Sequence, residues 1–162
     1  MPSIPADNRI LYFARDRAAF RFLSHFWSSP IRLDDRDWPT VEHYYQAQKS
    51  LDPAYREAVH RAATPDKAKR LSVSWFKAAT GRAPRDDWQD IKVDVMRRAD
   101  EAKFRQNPEL AALLLTTGSA ELIEDSPHDA FWGTGEDGSG LNWAGRVLME
   151  VREKLRARAG SG

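Results

Sequence analysis

The strongest constraint on the fold is a repeated signal for helix starts. Asp52-Pro53, Thr64-Pro65 and Asn107-Pro108 each place a proline directly after a residue with a short polar side chain. Proline is tolerated at the first helical position, and a short polar side chain before it accepts a hydrogen bond from the first turn. The three dipeptides therefore predict three separate helices, and Thr40 predicts a further one that runs to about Ser50.

Two longer segments carry apolar residues at helical spacing. Trp88, Ile91 and Val95 recur on one face, so a long helix is predicted over Asp87–Gln106. Asn142 is predicted to cap a last helix. The apolar face of that helix consists of Ala144, Val147, Leu148, Val151 and Leu155. Its basic residues, among them Arg152, are interpreted as solvated helix surface.

Strand character is limited to short pieces, Arg9–Phe13, Phe26–Leu33 and Glu121–Glu124. Asp34–Arg36 predicts a turn before Trp38, and hence a small hairpin near the front of the chain. Helices therefore dominate. The predicted fold class is mainly α with a small β-sheet (α+β), in a single domain.

Composition excludes several kinds of protein. The 162 residues contain 41% hydrophobic residues, enough to bury the core of one domain. Cysteine is absent, which excludes disulfides, thiolate metal sites and cysteine nucleophiles, and the four histidines have no i,i+4 pair. The longest apolar run, Leu110–Leu115, is far shorter than the roughly 20 residues of a membrane span, and no secretory signal is seen. A cytoplasmic protein without a membrane segment or metal is expected.

The helix that begins after Thr40 carries an unusual set of polar residues. Glu42, Tyr45, Gln46 and Lys49 stand at i, i+3, i+4 and i+7, so all four project the same way. Such a set suits the binding of a small ligand, with Tyr45 as a flat surface for a base or a sugar. The alternative is a solvated helix face with weak polar contacts, which this helix taken alone favours.

A second polar cluster lies in the glycine-rich segment Ser126–Leu141. Asp129 comes just before the aromatic pair Phe131-Trp132, and glycines follow from Gly133 onward. Glycine lets backbone N–H groups approach a phosphate closely, although an exposed flexible turn has the same composition. Trp88 has two interpretations as well, a core anchor or a stacking platform.

These segments together resemble the NADAR family, also called the YbiA-like family. Phe22–Phe26 and Trp38–Lys49 are similar to its opening motifs, and Asp129–Gly133 and Gly140–Asn142 are similar to its later ones. The resemblance runs from about Leu11 to Leu155. It implies a single NADAR domain over residues 1–162, with an ordered core at about 9–156, and a YbiA-like fold.

The resemblance also implies N-glycosidase chemistry, the hydrolysis of a C–N bond between a ribose and a base-like amine. Two substrate classes are implied: phosphoribosylaminopyrimidine intermediates of riboflavin synthesis, and ADP-ribosylated guanine, including ADP-ribosylated nucleic acid. The alternative is a module that binds ADP-ribose or a related nucleotide without cleaving it. No cofactor is expected. The near-neutral net charge of +1 gives no strong signal for nucleic acid, and the oligomeric state stays open.

Three residues are predicted to act in the reaction. Glu42 and Asp129 are the carboxylates that would stabilise charge at the ribose C1 or activate water. Lys49 would either bind phosphate or attack an opened ribose as an amine. The predicted substrate-binding residues are Tyr45, Gln46, Lys69, Trp88, Trp132, Gly133 and Asn142. Lys69 is also the reserve lysine for the chemical step.

Two positions depart from the family pattern. His25 stands where the first motif usually carries Asn, so any polar contact made there is expected to differ. Phe131 replaces what is often Tyr, which removes one hydroxyl group.

Overall fold

A computed structural model describes residues 3–13 and 18–161 of the chain, and most of these residues are helical. The α-helices are α1 (Val41–Ala47), α2 (Pro53–His60), α3 (Pro65–Trp75), α4 (Trp88–Gln106), α5 (Pro108–Thr116) and α6 (Trp143–Ala159). The strands are β1 (Arg9–Tyr12), β2 (Ile31–Leu33), β3 (Arg36–Trp38) and β4 (Glu121–Glu124), and short 3-10 helices cover Ala18–Leu23 and Ala78–Thr80. The α+β fold class is confirmed. Among the described residues, no helix is long and apolar enough to cross a membrane.

The polypeptide forms two compact units. One is continuous and runs from Ser28 to Lys103. The other combines the beginning of the chain, through Trp27, with everything from Phe104 onward.

The 28–103 unit begins with the predicted hairpin. Strands β2 and β3 pair antiparallel, with Ile31 opposite Trp38. The two turn residues, Asp34 and Asp35, have φ values of 54° and 58°. Positive φ at both central residues suits the right-handed twist of a two-residue hairpin, and aspartate tolerates it better than most residues.

The strand predicted over Phe26–Leu33 is too long, because strand β2 begins only at Ile31. The Phe26 N–H donates to the Ser24 side chain, and the Trp27 N–H donates to the Ser24 carbonyl. These turn contacts use the donors that a strand would need, and Pro30 has no N–H to give to a ladder.

Three capped helices make up the core of this unit, as predicted. The side chains of Thr40, Asp52 and Thr64 each accept a hydrogen bond from the first turn of the helix that follows. Helix α1 packs against both α2 and α3. It ends at Ala47 rather than at Ser50, because the last N–H groups turn back to carbonyls three residues away and tighten the chain.

The other unit is organised by a pair of parallel strands from opposite ends of the chain. Strand β1 pairs with β4 in the register Arg9 to Glu121 through Tyr12 to Glu124. The structure therefore has two separate two-stranded sheets, where one small sheet near the front was predicted. Short strands far apart in sequence give no local signal of their pairing.

Helix α6 packs directly on strand β4. A Cβ atom at Gly145 would lie 2.0 Å from the carbonyl oxygen of Leu122, so only glycine permits this approach. Asn142 occupies the cap position but makes no side-chain cap. Its amide instead donates to the Leu122 carbonyl at 2.9 Å and accepts from the Glu124 N–H at 2.9 Å. The predicted capping bond is therefore wrong. Asn142 does precede helix α6, but its side chain forms hydrogen bonds with strand β4 instead of with the first turn of the helix.

The interpretation of Arg152 as solvated surface is also wrong. It is 3% exposed, and its guanidinium donates to the Thr117 hydroxyl and to the Ala120 carbonyl. Both acceptors lie in the segment that joins helix α5 to strand β4, where Gly118 has φ of 57°. Arg152 therefore holds this connecting segment against α6, a role that the sequence pattern did not indicate.

Candidate active site

Helix α1 is buried along its whole length, from Val41 to Ala47. Glu42 is 5% exposed and Gln46 is 3% exposed. The alternative of a solvated helix face is therefore wrong. A buried carboxylate costs free energy unless it has hydrogen-bond partners, so polar residues inside this helix need a specific reason to be there.

The carboxylate of Glu42 has such a partner. The Nε2 atom of Gln46 donates to Glu42 Oε1 at 2.6 Å, one helical turn along. The main chain of Gln46 is held too, because the Tyr55 hydroxyl donates to its carbonyl at 2.7 Å. Burial raises the pKa of Tyr55 to about 12, with the negative charge of Glu42 as a further cause, so the phenol keeps its proton and remains a donor. The orientation of the carboxylate is thus fixed through two neighbours.

The side chain of Gln46 also contains a buried acceptor atom, Oε1, that receives no hydrogen bond from the described residues. Buried acceptors normally have partners, and exceptions are found at functional sites. Gln46 therefore combines a donor that orients Glu42 with an acceptor that is ready for an N–H or O–H group.

Lys49 lies just after α1, in the turn that ends the helix. Its Nζ atom is 5.5 Å from the ring centre of Tyr45 and 6.0 Å from that of Trp88. The two rings are 5.1 Å apart, with their planes at 56°. Aromatic faces attract a cation, so these rings position the amine of Lys49.

Trp88 serves as a core anchor, since it is 4% exposed at the start of α4. Its ring nevertheless belongs to the Lys49 cluster, so the two interpretations of this residue are not exclusive. The N–H of Arg85, close by in sequence, donates to the Lys49 carbonyl at 2.8 Å and fixes the backbone at that lysine.

The structure does not bring Lys69 into this group. Lys69 is exposed on α3, where Ala68 and Ser72 are the buried residues. Five predicted residues of the 28–103 unit form two contact groups, Glu42 with Gln46, and half-buried Lys49 with Tyr45 and Trp88.

Asp129 lies in the other unit and organises its own loop. Its Oδ1 atom accepts hydrogen bonds from the Phe131 N–H at 3.0 Å and from the Trp132 N–H at 2.8 Å. Its carbonyl accepts from the N–H groups of Gly133 and Gly135. At least one carboxylate oxygen of Asp129 therefore holds the turn that presents the aromatic pair.

The glycine-rich loop is closely packed and not an open turn. The N–H groups of Gly133, Gly135, Gly138 and Gly140 all donate to carbonyls of the same segment. A Cβ atom at Gly140 would lie 2.4 Å from the Gly133 carbonyl, so glycine permits this folding. These four N–H groups are engaged, which removes the donors on which the predicted phosphate cradle depended. The amide of Asn142 is likewise used on strand β4.

Trp132 is the aromatic residue of this unit that contacts both unusual positions. The His25 ring, 5% exposed, lies 6.5 Å from the Trp132 ring in an edge-to-face arrangement. The Phe131 ring lies 5.0 Å away, also edge to face. The two departures from the family pattern therefore meet at one side chain.

Sequence reasoning missed one ionisable pair. Lys103 and Asp100, on α4, are both fully buried. Burial lowers the pKa of Lys103 to about 8, although the charge of Asp100 acts in the opposite direction. The available signal was that Lys103 shares a helix face with the core residues Met96 and Ala99.

The described residues contain no group of three or more histidine, aspartate or glutamate side chains that could hold a metal ion.

Comparison with known proteins places this chain in a family. The NADAR domain family matches residues 12–156, so the chain belongs to it. The N-glycosidase YbiA of Escherichia coli (strain K12) is 46% identical over 132 residues, which are 82% of this chain and 79% of that protein. An N-glycosidase of Nostoc punctiforme is 40% identical, covering 90% of this chain and 92% of that protein.

A longer relative and a solved structure complete the comparison. A riboflavin biosynthesis protein of Vibrio vulnificus is 45% identical over 92% of this chain and 39% of its own length. The solution NMR structure of E. coli YbiA superimposes with a TM-score of 0.82 at 40% identity, covering 94% of this chain and 88% of that one. The predicted family and YbiA-like fold are confirmed. The predicted enzyme class, a hydrolase acting on N-glycosyl bonds, is confirmed by the relatives' names.

Proposed function

We propose that this protein hydrolyses the N-glycosidic bond of a phosphoribosylated aminopyrimidine, with Glu42 and Lys49 as the reacting residues. The observation that carries the proposal is the buried hydrogen bond of 2.6 Å between Gln46 Nε2 and Glu42 Oε1. Lys49, two residues after the same helix, lies near two aromatic rings. A helix exposed to water would preserve neither the short hydrogen bond of Glu42 nor the fixed position of the Lys49 amine. The cost of burying these groups is understandable if they bind and convert a ligand.

Glu42 acts on the anomeric carbon. When the C1–N bond breaks, positive charge develops on the ribose, and a fixed carboxylate stabilises that charge or takes a proton from the attacking water. Water then forms the new C1–O bond, and the leaving nitrogen gains a proton. Gln46 keeps the carboxylate in place, and its Oε1 atom accepts a hydrogen bond from a ribose hydroxyl or from an amine of the base.

Lys49 has two roles that an experiment can separate. As a cation, it binds the phosphate group of the substrate, and its aromatic neighbours fix its position. As a nucleophile, its neutral amine attacks C1 of a ribose whose C1–O bond of the ring has opened to leave an imine with the base amine. The C1–N bond to the base then breaks, and the base amine leaves with a proton as the lysine Schiff base forms. Water hydrolyses the Schiff base, which releases the ribose phosphate as its aldehyde and restores the lysine amine. Tyr45 and Trp88 supply the flat surfaces against which the pyrimidine ring is held.

Asp129 and Trp132 are proposed in narrower roles than the sequence suggested. Asp129 orders the loop that carries Trp132 through its Oδ1 contacts. Gly133 permits the close packing of this loop. Asn142 supports strand β4.

The substrate class is supported by two relatives. Those from Vibrio vulnificus and from maize are named as riboflavin biosynthesis proteins, and each is considerably longer than this chain. The proposed substrate is thus the phosphoribosylaminopyrimidine class. ADP-ribosylated guanine is the second substrate to be assayed, since it offers the same C1–N bond.

The decisive experiment incubates the protein with both substrates and follows the released base and sugar by mass spectrometry. We expect the aminopyrimidine to be released by the wild type and by Lys67→Met, which changes an exposed lysine on α3 that has no predicted role. Glu42→Gln and Lys49→Met should each lower kcat at least about a hundredfold, the usual size of a lost acid–base or charged group.

Three outcomes would contradict parts of this proposal. Tight binding of ADP-ribose without hydrolysis of either substrate would favour a non-catalytic module. Cleavage of ADP-ribosylated guanine alone would reassign the substrate. Turnover without a lysine adduct after borohydride reduction would leave Lys49 with its phosphate role only.

A further inference from the structure

The 28–103 unit contains a cavity that the proposed chemistry does not use. It has a volume of about 540 Å³ and lies between the β2–β3 hairpin and the start of helix α2. Its lining includes Leu51, Pro53 and the edge of Trp38, which is 2% exposed and has the Arg36 guanidinium over its ring. Leu51 is 65% exposed, an unusual position for a large aliphatic side chain. The cavity thus offers an apolar surface on which a ring can pack.

Both carboxylates at the cavity are already matched by arginines. Asp34 accepts from Arg98 at 2.6 Å. Glu57 accepts from Arg36 and from Arg61, each at 2.5 Å. These guanidinium groups hold the pKa of Glu57 below its usual value, so its charge is present at neutral pH and is balanced.

Arg56 is different, because its partner is neutral. This half-buried arginine lines the cavity, and its guanidinium donates to Gln48 Oε1 at 2.8 Å. Gln48 is 8% exposed, and its Nε2 atom is a buried donor for which the described residues supply no acceptor. A fixed amide therefore orients the guanidinium without neutralising its charge. Arginine held in this way is well suited to a phosphate or carboxylate group.

The cavity is separate from the Glu42–Lys49 group, since none of its lining residues lies on α1. Gln48 and Lys49 both lie in the turn that follows α1. Gln48 is directed toward Arg56, whereas Lys49 is directed toward Tyr45 and Trp88. The turn after α1 therefore borders two different neighbourhoods.

We propose that this cavity binds a small organic anion, with its phosphate or carboxylate on Arg56 and its ring against Leu51 and Pro53. A nucleoside monophosphate has this combination of groups. Binding requires both parts, because the charge alone is exposed to competition from salt and the apolar edge alone is small. The inference stands apart from the proposed hydrolysis, which uses other residues.

The test is a titration followed by NMR, with adenosine 5′-monophosphate as the probe and the Trp38 indole and Leu51 amide as reporters. Concentrations up to roughly 10 mM detect binding as weak as a Kd of about 1 mM. We expect saturable shifts at both reporters. Ribose 5-phosphate, which lacks the base, adenosine, which lacks the phosphate, and inorganic phosphate, which lacks both base and sugar, should each bind at least about tenfold more weakly.

Two variants make the result specific. Arg56→Gln should weaken binding of the monophosphate at least about tenfold, the loss expected for a charge-assisted hydrogen bond. Arg70→Gln removes an exposed arginine on α3 that pairs with Asp66, and it should leave the affinity unchanged. An unchanged affinity in Arg56→Gln would overturn the proposal, as would shifts confined to Tyr45 and Trp88. Equal binding of inorganic phosphate would reduce the site to a simple anion site and overturn the ring contact.

Discussion

Single residues in this protein illustrate how burial changes the behaviour of a charged group. Glu42, Lys103 and Arg152 are all buried, and each is accommodated in a different way. Glu42 is oriented by an amide, Arg152 donates to the carbonyl of Ala120 just before strand β4, and Lys103 has a lowered pKa. Local sequence patterns identified Glu42 because of its spacing with Gln46 and Lys49. They did not identify Lys103 and Arg152, whose burial depends on what packs against their helices.

The pKa of Lys103 predicts a specific pH dependence of stability. In the unfolded chain this lysine keeps its proton up to about pH 10.5, whereas in the folded chain it loses the proton near pH 8. Between these values the unfolded state binds more protons, so the lysine's contribution to the free energy of unfolding rises with pH, by at most about 1.4 kcal/mol per unit. Denaturant unfolding of the wild type and of Lys103→Met, at intervals from pH 7 to 10.5, measures this. Parallel curves for the two proteins would refute it.

Gly145 predicts a large effect from a small change. Gly145→Ala places a Cβ atom where the Leu122 carbonyl and the Asn142 amide already lie, so helix α6 must move away from β4. We expect a loss of about 3 kcal/mol or more, as for other overpacked core positions. Gly138→Ala is the matched control, because nothing lies within 4 Å of the added atom there and only its positive φ is unfavourable. Equal melting temperatures for the two variants would show that the contact is not strained.

At the scale of elements, the helix starts were predictable and the strand partners were not. A cap acts within three residues, so Thr40, Asp52 and Thr64 carry their own signal. The end of α1 was placed three residues too late, since it depends on how its last carbonyls are bonded. The pairing of β1 with β4 depends on packing over more than a hundred residues, which no local pattern contains. The site shows the same difference between local and distant contacts. Glu42, Tyr45 and Gln46 lie on one helix, so their proximity was predictable, whereas Trp88 reaches Tyr45 only because α4 packs nearby, which no local pattern predicts.

The caps of α1 and α3 differ in burial, and this predicts a difference in stability. Thr40 is buried, accepts from the His43 N–H and also contacts the His43 ring at 2.8 Å, whereas Thr64 is exposed. Removing a cap costs roughly 0.5–2 kcal/mol. Thr40→Ala should lie at or above the upper end of that range, and Thr64→Ala near the middle. Melting temperatures of the two variants provide the measurement, and a greater loss in Thr64→Ala would contradict the argument.

At the scale of the whole molecule, one unit is continuous and the other is assembled from both ends of the chain. Strand β1 contributes Ile10, which is fully buried opposite Leu122. Ile10→Ala should therefore destabilise residues of β4 that lie far away in sequence, at a cost of about 2–5 kcal/mol. Amide hydrogen exchange at Leu122 and Ile123 should accelerate accordingly. Unchanged protection there would mean that the parallel pair contributes little to the unit.

The order of translation gives the parallel strand pair a consequence for synthesis in the cell. Strand β1 leaves the ribosome early, but its partner β4 is made roughly 110 residues later, which takes about 6–20 s at ordinary elongation rates. During that interval the backbone of β1 lacks its native neighbour, whereas the 28–103 segment is completed without waiting for the end of the chain. Nascent chains stalled before residue 121 should therefore hold the first strand in a form that chaperones recognise and proteases cut.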